Sequence, residues 1–416
     1  MTRVYLHTFG CKANQYDTEV VRQALEDAGV AVVDDPDAAD TAVVNSCTVT
    51  HVGEAKMRGL VRRFGRGGPD RRTVVMGCAA AVDDGTIAGL PGVVGVVGGA
   101  DPAAVLRALG LEGTGASASL REFRGGSRAW LKIQDGCDEH CTFCATTLAR
   151  GANRSRPSAD LVVEARALSR GAEEIVLTGV HIGTYGRDLG SEHALGHLVA
   201  ELVEAVPRVR FRLSSIEATE VDDRLAALMV ERPDRLAPHL HAPLQSGSDR
   251  LLKRMGRHWY TATTYRRRLD ALAGRLGAMG LGADVIVGFP GETPADHRAT
   301  RDLLADLPFT YVHVFPYSPR PGAAAPRLGP PIRPSTVRER AAELRDLVAR
   351  KGDAYRAARH GGPADIVLLE HREGRFAGLT EDYLTAYLPA VEAPRPPARF
   401  PARLDRRGPT LAALPL

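Results

Sequence analysis

Cys137, Cys141 and Cys144 stand in the run DGCDEHCTFC, a C-x3-C-x2-C spacing on one short loop. Soft thiolates so spaced bind soft metal centres, and two chemistries are open to them. A structural zinc ion needs a fourth ligand close by, for which His140 offers itself. A four-iron cluster held by three thiolates leaves one iron without a protein ligand, free to bind a small molecule. Three further cysteines, Cys11, Cys47 and Cys78, each follow a β-branched run by one to three residues. Singly, a cysteine so placed is most often an inert buried thiol. Three at successive strand ends make a candidate site, because ligands of open α/β sheets sit at the carboxyl ends of strands.

These thiols need strands that end where they begin. Runs at 3–8, 31–33, 41–45, 72–76 and 93–97 alternate with amphipathic stretches at 17–28, 54–64 and 103–109. The alternation predicts a doubly wound parallel α/β sheet over residues 1–110. The Gly/Ser/Ala-rich segment EGTGASASLREFRGG (112–126) marks 111–127 as a linker. Over 128–330, strands are expected at 129–134, 174–178, 210–214, 239–243, 283–288 and 310–315, with helices such as 159–169 and 264–278 between them. Six such units predict a partial (β/α)6 barrel, with the cysteine loop just past its first strand. One continuous open sheet is the alternative. A proline-led basic helix follows over 331–360, and short alternating runs over 361–416 predict a small all-β module.

Composition narrows the class. A chain of 416 residues, 44% hydrophobic and 25% charged, is multidomain and globular, and six cysteines at this length are too sparse for a disulfide framework. No run approaches the ~18 apolar residues of a membrane helix, and the opening MTRVYLHTFG lacks a signal peptide's apolar core. A cytoplasmic protein without a membrane partner is expected. The net charge of +4 neither requires nor forbids a nucleic-acid partner, and nothing in the sequence sets an oligomeric state.

The cysteine loop, with aromatic Phe143 before its last cysteine, resembles the radical S-adenosylmethionine (SAM) superfamily. The resemblance implies that the open iron chelates the amino and carboxylate groups of SAM, and that a reducing donor of flavodoxin or ferredoxin type drives cleavage to a 5′-deoxyadenosyl radical. Further segments are similar to the methylthiotransferases of that superfamily, in the family's order: GCKANQYDTE (10–19), NSCTVT (45–50), MGCAA (76–80), IQDGCDEHCTFC (133–144), LTGVHIGTYG (177–186), RLSSIE (212–217), HLHAPLQSGSDRLLKRMGR (239–257), DVIVGFPGET (284–293) and VFPYSPRPG (314–322). The family likeness implies two 4Fe-4S clusters. Catalytic Cys137, Cys141 and Cys144 would hold the SAM cluster, and Cys11, Cys47 and Cys78 an auxiliary one. One SAM would supply the methyl group and a second the radical. Phe143, Thr178, Gly179, Ser215, Glu217 and Gln245 are the expected cofactor contacts, although each polar one is also readable as a cap or loop residue. Residues 361–416 resemble an RNA-binding TRAM module, most visibly in GLTEDYL (378–384), with seven basic and seven acidic residues.

Three acceptors occur among such enzymes: isopentenyladenosine in tRNA, threonylcarbamoyladenosine in tRNA, and an aspartate of a ribosomal protein. The run K-A-N-Q-Y-D after Cys11 resembles the second type. It implies N6-threonylcarbamoyladenosine at tRNA position 37, in the anticodon loop, converted to its 2-methylthio derivative; an unpaired loop base is splayed out at low cost. One departure is Ala145–Gly151 (ATTLARG), where the family usually carries an Ile-Ile-Pro-type run. It bears on the shape of the pocket beside the cluster. A catalytically degenerate RNA-binding protein is the reading from another class, and six retained cysteines argue against it.

Overall fold

The computed structural model describes residues 2–111, 119–190, 194–372, 374–390 and 393–416. Strands β1 (Arg3–Thr8), β2 (Ala31–Val33), β3 (Thr41–Ser46), β4 (Arg72–Gly77) and β5 (Val93–Gly98) form a parallel sheet in the order β2-β1-β3-β4-β5. Helices α1 (Lys12–Asp27), α2 (His51–Gly65), α3 (Cys78–Ala81) and α4 (Pro102–Ala108) connect them. Both faces of the sheet are covered: Val44 and Val75 pack with Met57 and Phe64 of α2, while Val43 and Val74 pack with Val21 and Leu25 of α1. Strands buried on both faces read as unbroken apolar runs, which is why their limits were visible in the sequence. Helix α1 starts five residues before the amphipathic pattern does, since its first turn buries Asn14 and Asp17 rather than apolar residues.

The segment 112–118 of the expected linker lies outside the described residues. Its described end is stitched to the first unit: Gln23 donates to the Ser119 carbonyl (3.1 Å) and accepts from the Arg121 amide (2.9 Å).

The central unit runs through β6 (Arg128–Lys132), β7 (Gln134–Asp135), α5 (Thr146–Arg150), β8 (Arg154–Ser155), α6 (Ser158–Leu168), β9 (Glu174–Thr178), α7 (Leu195–Ala205), β10 (Arg210–Leu213), α8 (Asp223–Glu231), β11 (His239–His241), α9 (Asp249–Arg254), α10 (Ala262–Ala273), β12 (Gly280–Val287), α11 (Pro294–Asp306) and β13 (Tyr311–Pro316). Two parallel sheets, β10-β9-β6 and β11-β12-β13, meet at the bridge Ser215–His241. Six strands therefore follow one another in chain order, as in the partial barrel expected. Strand β12 begins three residues early, at two glycines that read as punctuation. A Cβ on Gly282 would lie 2.0 Å from the Tyr311 ring, and one on Gly280 2.1 Å from the Asp382 carbonyl, so glycine is required at both.

Helix α12 (Pro334–Ala358) buries Ala341 and Leu344 in the central core. Strands β14 (Pro363–Arg372), β15 (Arg375–Leu379), β16 (Thr385–Pro389), β17 (Arg399–Arg407) and β18 (Thr410–Pro415) close into a small barrel. This barrel covers the amino ends of the central strands. There Glu174, fully buried, accepts from Arg128 (2.8 Å), Arg210 (2.8 Å) and Arg212 (2.9 Å). Although burial alone would raise Glu174, the three guanidinium groups hold its carboxyl well below the usual range. Arg210 and Arg212 also donate to the carbonyls of Asp365 (2.8 Å) and Thr380 (2.9 Å) of the terminal barrel. Tyr383 stacks on His239 with ring centroids 4.2 Å apart.

Candidate active site between two cysteine triads

Cys11, Cys47 and Cys78 follow β1, β3 and β4 directly, so the parallel sheet delivers all three to one edge. The chain is tight there: a Cβ on Gly10, whose φ is 119°, would sit 3.1 Å from the Cys47 Cβ. Asn14, 1% exposed, organises the triad. Its amide nitrogen donates to Asn45 Oδ1 and the Ser46 carbonyl (both 2.9 Å), and its oxygen faces Cys11 Sγ at 3.4 Å and Cys78 Sγ at 3.9 Å.

The second triad lies on the loop between β7 and α5. Gly136, with φ 71°, brings this loop so close to Ala152 that any Cβ would overlap the Ala152 carbonyl at 1.9 Å. The Cys137 amide donates to Gly151 (3.0 Å) and the Cys144 amide to Cys141 (3.0 Å), which curls the three thiols to one side. Backbone amides point at sulfur in both triads: Val49 at Cys47 (3.4 Å), Glu139 at Cys137 (3.4 Å) and Thr146 at Cys144 (3.3 Å).

Each triad also has a buried guanidinium. Arg150, from the end of α5, reaches across to the first triad and donates from Nε to Cys78 Sγ at 3.2 Å. Its remaining donors go to Asn14 (3.0 Å), Asp17 (2.9 Å) and both oxygens of Asp135 (2.9 and 3.1 Å), while Lys132 pairs with the same two carboxylates. Arg257 lies 3.6 Å from Cys141 Sγ and is paired with Glu217. Burial pushes the Cys78 thiol up to about 11 and that of Cys141 to about 12, with Arg150 and Arg257 respectively opposing it. His181 sits 3.6 Å from Cys137 Sγ and 2.9 Å from Glu220.

All six thiols are free of disulfides. Tetrahedral zinc would bring its sulfurs to within about 4 Å of one another. Among the described residues, the three His, Cys, Asp or Glu donors found within 4.8 Å of one another are His241, Asp284 and His313, not either triad. Triads that open, lined by amide donors and one cation each, fit a larger iron–sulfur core. His140 lies in an outer groove with Lys253 and Trp259.

Cys144 of the second triad and Thr48, next to Cys47 of the first, line a solvent-open cavity of about 750 Å³. Thr48, Val49 and Thr50 of the first unit wall one side, and Phe143, Cys144, Gln245, Asp284, Phe315 and Tyr317 of the central unit the other. Of the expected cofactor contacts, Phe143 and Gln245 reach this cavity. Glu217 is turned to Arg257, and Ser215 is exposed. Thr178 and Gly179 form a separate cradle around Gln134, whose oxygen accepts from the Val180 (3.0 Å) and His181 (2.9 Å) amides. A Cβ on Gly179 would meet the Gln134 carbonyl at 2.7 Å, so the glycine serves close approach. Asn14, Gln134, Arg150 and Arg257 were not singled out from sequence as site residues, and their signal there is faint: polar residues beside cysteine motifs, made into a site only by contacts 46 to 136 residues away.

Comparison with known proteins agrees with this architecture. Residues 131–304 match the radical SAM superfamily, and residues 3–99 match a group described as uncharacterized protein family UPF0004. The radical SAM methyltransferase TsrM from Kitasatospora setae has a similar fold, with a TM-score of 0.57 at 18% identity over 76% of this chain and 75% of its own. Fold and cysteine loop thus define a radical SAM enzyme.

The similar sequences narrow the class. A Bacillus subtilis protein named threonylcarbamoyladenosine tRNA methylthiotransferase MtaB is 36% identical over 94% of this chain and 91% of its own. A Thermotoga maritima protein of the same name is 36% identical over 86% and 84%. The chain belongs to the radical SAM methylthiotransferase family, enzymes that transfer sulfur-containing groups using SAM and 4Fe-4S clusters. No helix of the described residues is long and apolar enough to cross a membrane.

Proposed function

We propose that this enzyme acts on tRNA in the cytoplasm, converting N6-threonylcarbamoyladenosine at position 37 of the anticodon loop to its 2-methylthio derivative. The observation that carries the reading is that one cavity is lined by Cys144 of one triad and by Thr48, next to Cys47 of the other, with Arg150 tying the two triads together. Replacing an aromatic C–H by S–CH3 requires a hydrogen abstractor and a sulfur donor on the same acceptor atom, and one cavity between two metal sites meets that demand. The name shared by the similar proteins supports the acceptor.

In this reading Cys137, Cys141 and Cys144 hold the SAM cluster and Cys11, Cys47 and Cys78 the auxiliary one. When bound and reduced by a flavodoxin or ferredoxin, the first cluster with SAM supplies the radical. The protein's own part is positional. Phe315 and Tyr317 offer aromatic faces for the splayed base, and Phe143, Gln245 and the backbone at Thr178 and Gly179 contact the cofactor. Ser215, exposed past β10, is a further polar contact of the cofactor, and Glu217 acts through Arg257 on the Cys141 side. The terminal barrel grips the RNA outside the cavity.

The test is mass spectrometry of nucleosides from bulk tRNA of cells with and without the gene. Loss of 2-methylthio-threonylcarbamoyladenosine with accumulation of its precursor is expected. An unchanged profile, with the methylthio mass missing instead from isopentenyladenosine or a ribosomal protein, would refute the acceptor.

A further inference from the structure

The proposed acceptor carries a threonyl carboxylate with a hydroxyl beside it, which an isopentenyl group lacks. The inward face of β11, β12 and β13 holds polar groups that neither cysteine triad uses. His241, Asp284 and His313 stand on these three neighbouring strands with donor atoms within 4.8 Å of one another, and Asp284 lies on the cavity wall beside Cys144 and Gln245.

One side of this cluster is already satisfied. Tyr311 Oη lies 2.8 Å from His239 Nε2 and 3.0 Å from His241 Nδ1, and His241 Nε2 lies 3.1 Å from Asp284 Oδ2. A consistent set of donors runs from His239 to Tyr311, to His241, to one Asp284 oxygen. The second Asp284 oxygen is left as an acceptor. His313 is exposed and has no hydrogen-bond partner among the described residues. Lys12, next to Cys11 on the facing unit, likewise has none. Burial holds His313 below the usual histidine range; Asp284 opposes this, and the charges of His241 and Lys12 deepen it. Three donors this close would also suit a divalent cation, but the unpaired charge of Lys12 on the facing unit, which bears on His313, favours an anion.

We propose that Lys12, His313 and Asp284 form the subsite that reads the threonyl group of the acceptor, Lys12 and His313 donating to its carboxylate and Asp284 accepting from its hydroxyl. This inference rests on the function proposed above. An apolar isopentenyl group in the same place would desolvate all three without pairing them.

The test is binding of holoenzyme, without reductant, to anticodon stem–loop RNAs carrying threonylcarbamoyladenosine, its methyl ester, or unmodified adenosine at position 37. Wild type should prefer the acid to the ester by about thirtyfold, the effect of one charge-assisted hydrogen bond. Lys12→Met and His313→Phe should each bring that ratio toward one while leaving affinity for unmodified RNA in place. Iron content checks that both clusters survive, and His313→Phe guards against disturbance of Cys11 by its neighbour. A ratio unchanged in both variants, or a loss equal for all three RNAs as expected of a phosphate contact, overturns the subsite alone. Wild-type enzyme that forms no methylthio product on the acid RNA overturns the function instead.

Discussion

Replacing Arg150 by methionine tests whether the two units share one electrostatic device. The side chain is 7% exposed and spends donors on Cys78, Asn14, Asp17 and Asp135. Asp17 and Asp135 keep Lys132 in the variant, so neither carboxylate is stranded. The loss therefore falls on sulfur, where one charge-assisted hydrogen bond is worth about 2 kcal/mol, or about thirtyfold in an equilibrium constant. The assay is anaerobic challenge with a ferrous chelator in a Cys141→Ala background, where the auxiliary cluster is alone. Arg150→Met should release iron at a chelator concentration about thirtyfold lower. The cluster's midpoint potential should move negative, since an anionic cluster has lost a cation and a hydrogen bond. A variant with the parent's release profile and potential would refute the reasoning.

Other expectations follow from the same geometry. Cys141→Ala and Cys47→Ala should each lower iron from about eight to about four per chain, yet only Cys141→Ala should abolish 5′-deoxyadenosine formation, read by chromatography. Glu174→Gln leaves Arg128, Arg210 and Arg212 buried around a neutral group; a loss of about 3–5 kcal/mol is expected, seen as a lower unfolding midpoint. Burial alone would raise Asp296, but hydrogen bonds from Arg250, Ser248 and Thr293 hold it below the usual carboxylate range. The stability this gives is complete above the ordinary carboxylate pKa and is lost as pH falls through the depressed one. Asp296→Asn should therefore narrow the difference between unfolding midpoints at neutral and strongly acid pH.

The sequence exposed those elements whose side chains speak by hydrophobicity. β1, β2 and β9 were found to the residue because their flanks are polar or turn-forming and their interiors apolar. Cys137, Cys141 and Cys144 were legible from spacing, and Cys11, Cys47 and Cys78 from their places after strands together with the family likeness. Harder to see were residues whose roles depend on partners far along the chain. Asn14 and Asp17 look like the polar face of a helix, whereas both are buried under Arg150. Glu217 was placed as a cofactor contact, and nothing local announces that Arg257, forty residues on, occupies it. The two glycines of β12 read as breakers because their reason, Tyr311 and the terminal barrel, is supplied only by the fold.

The closure of the central strands by the terminal barrel makes those strands a ruler. The barrel is locked at their amino ends through Arg210, Arg212 and Tyr383, and the cysteine loops lie at their carboxyl ends. β12, eight residues long, sets the interval at about 25 Å, at roughly 3.3 Å per residue. An RNA that touches both ends at once must be longer than this span. If the terminal barrel grips the RNA as proposed, a mononucleotide or a short loop fragment would engage the cavity alone, whereas a folded stem with its loop would engage both ends. Under the function proposed above, an RNA held at both marks would be selected by its length, independent of its sequence.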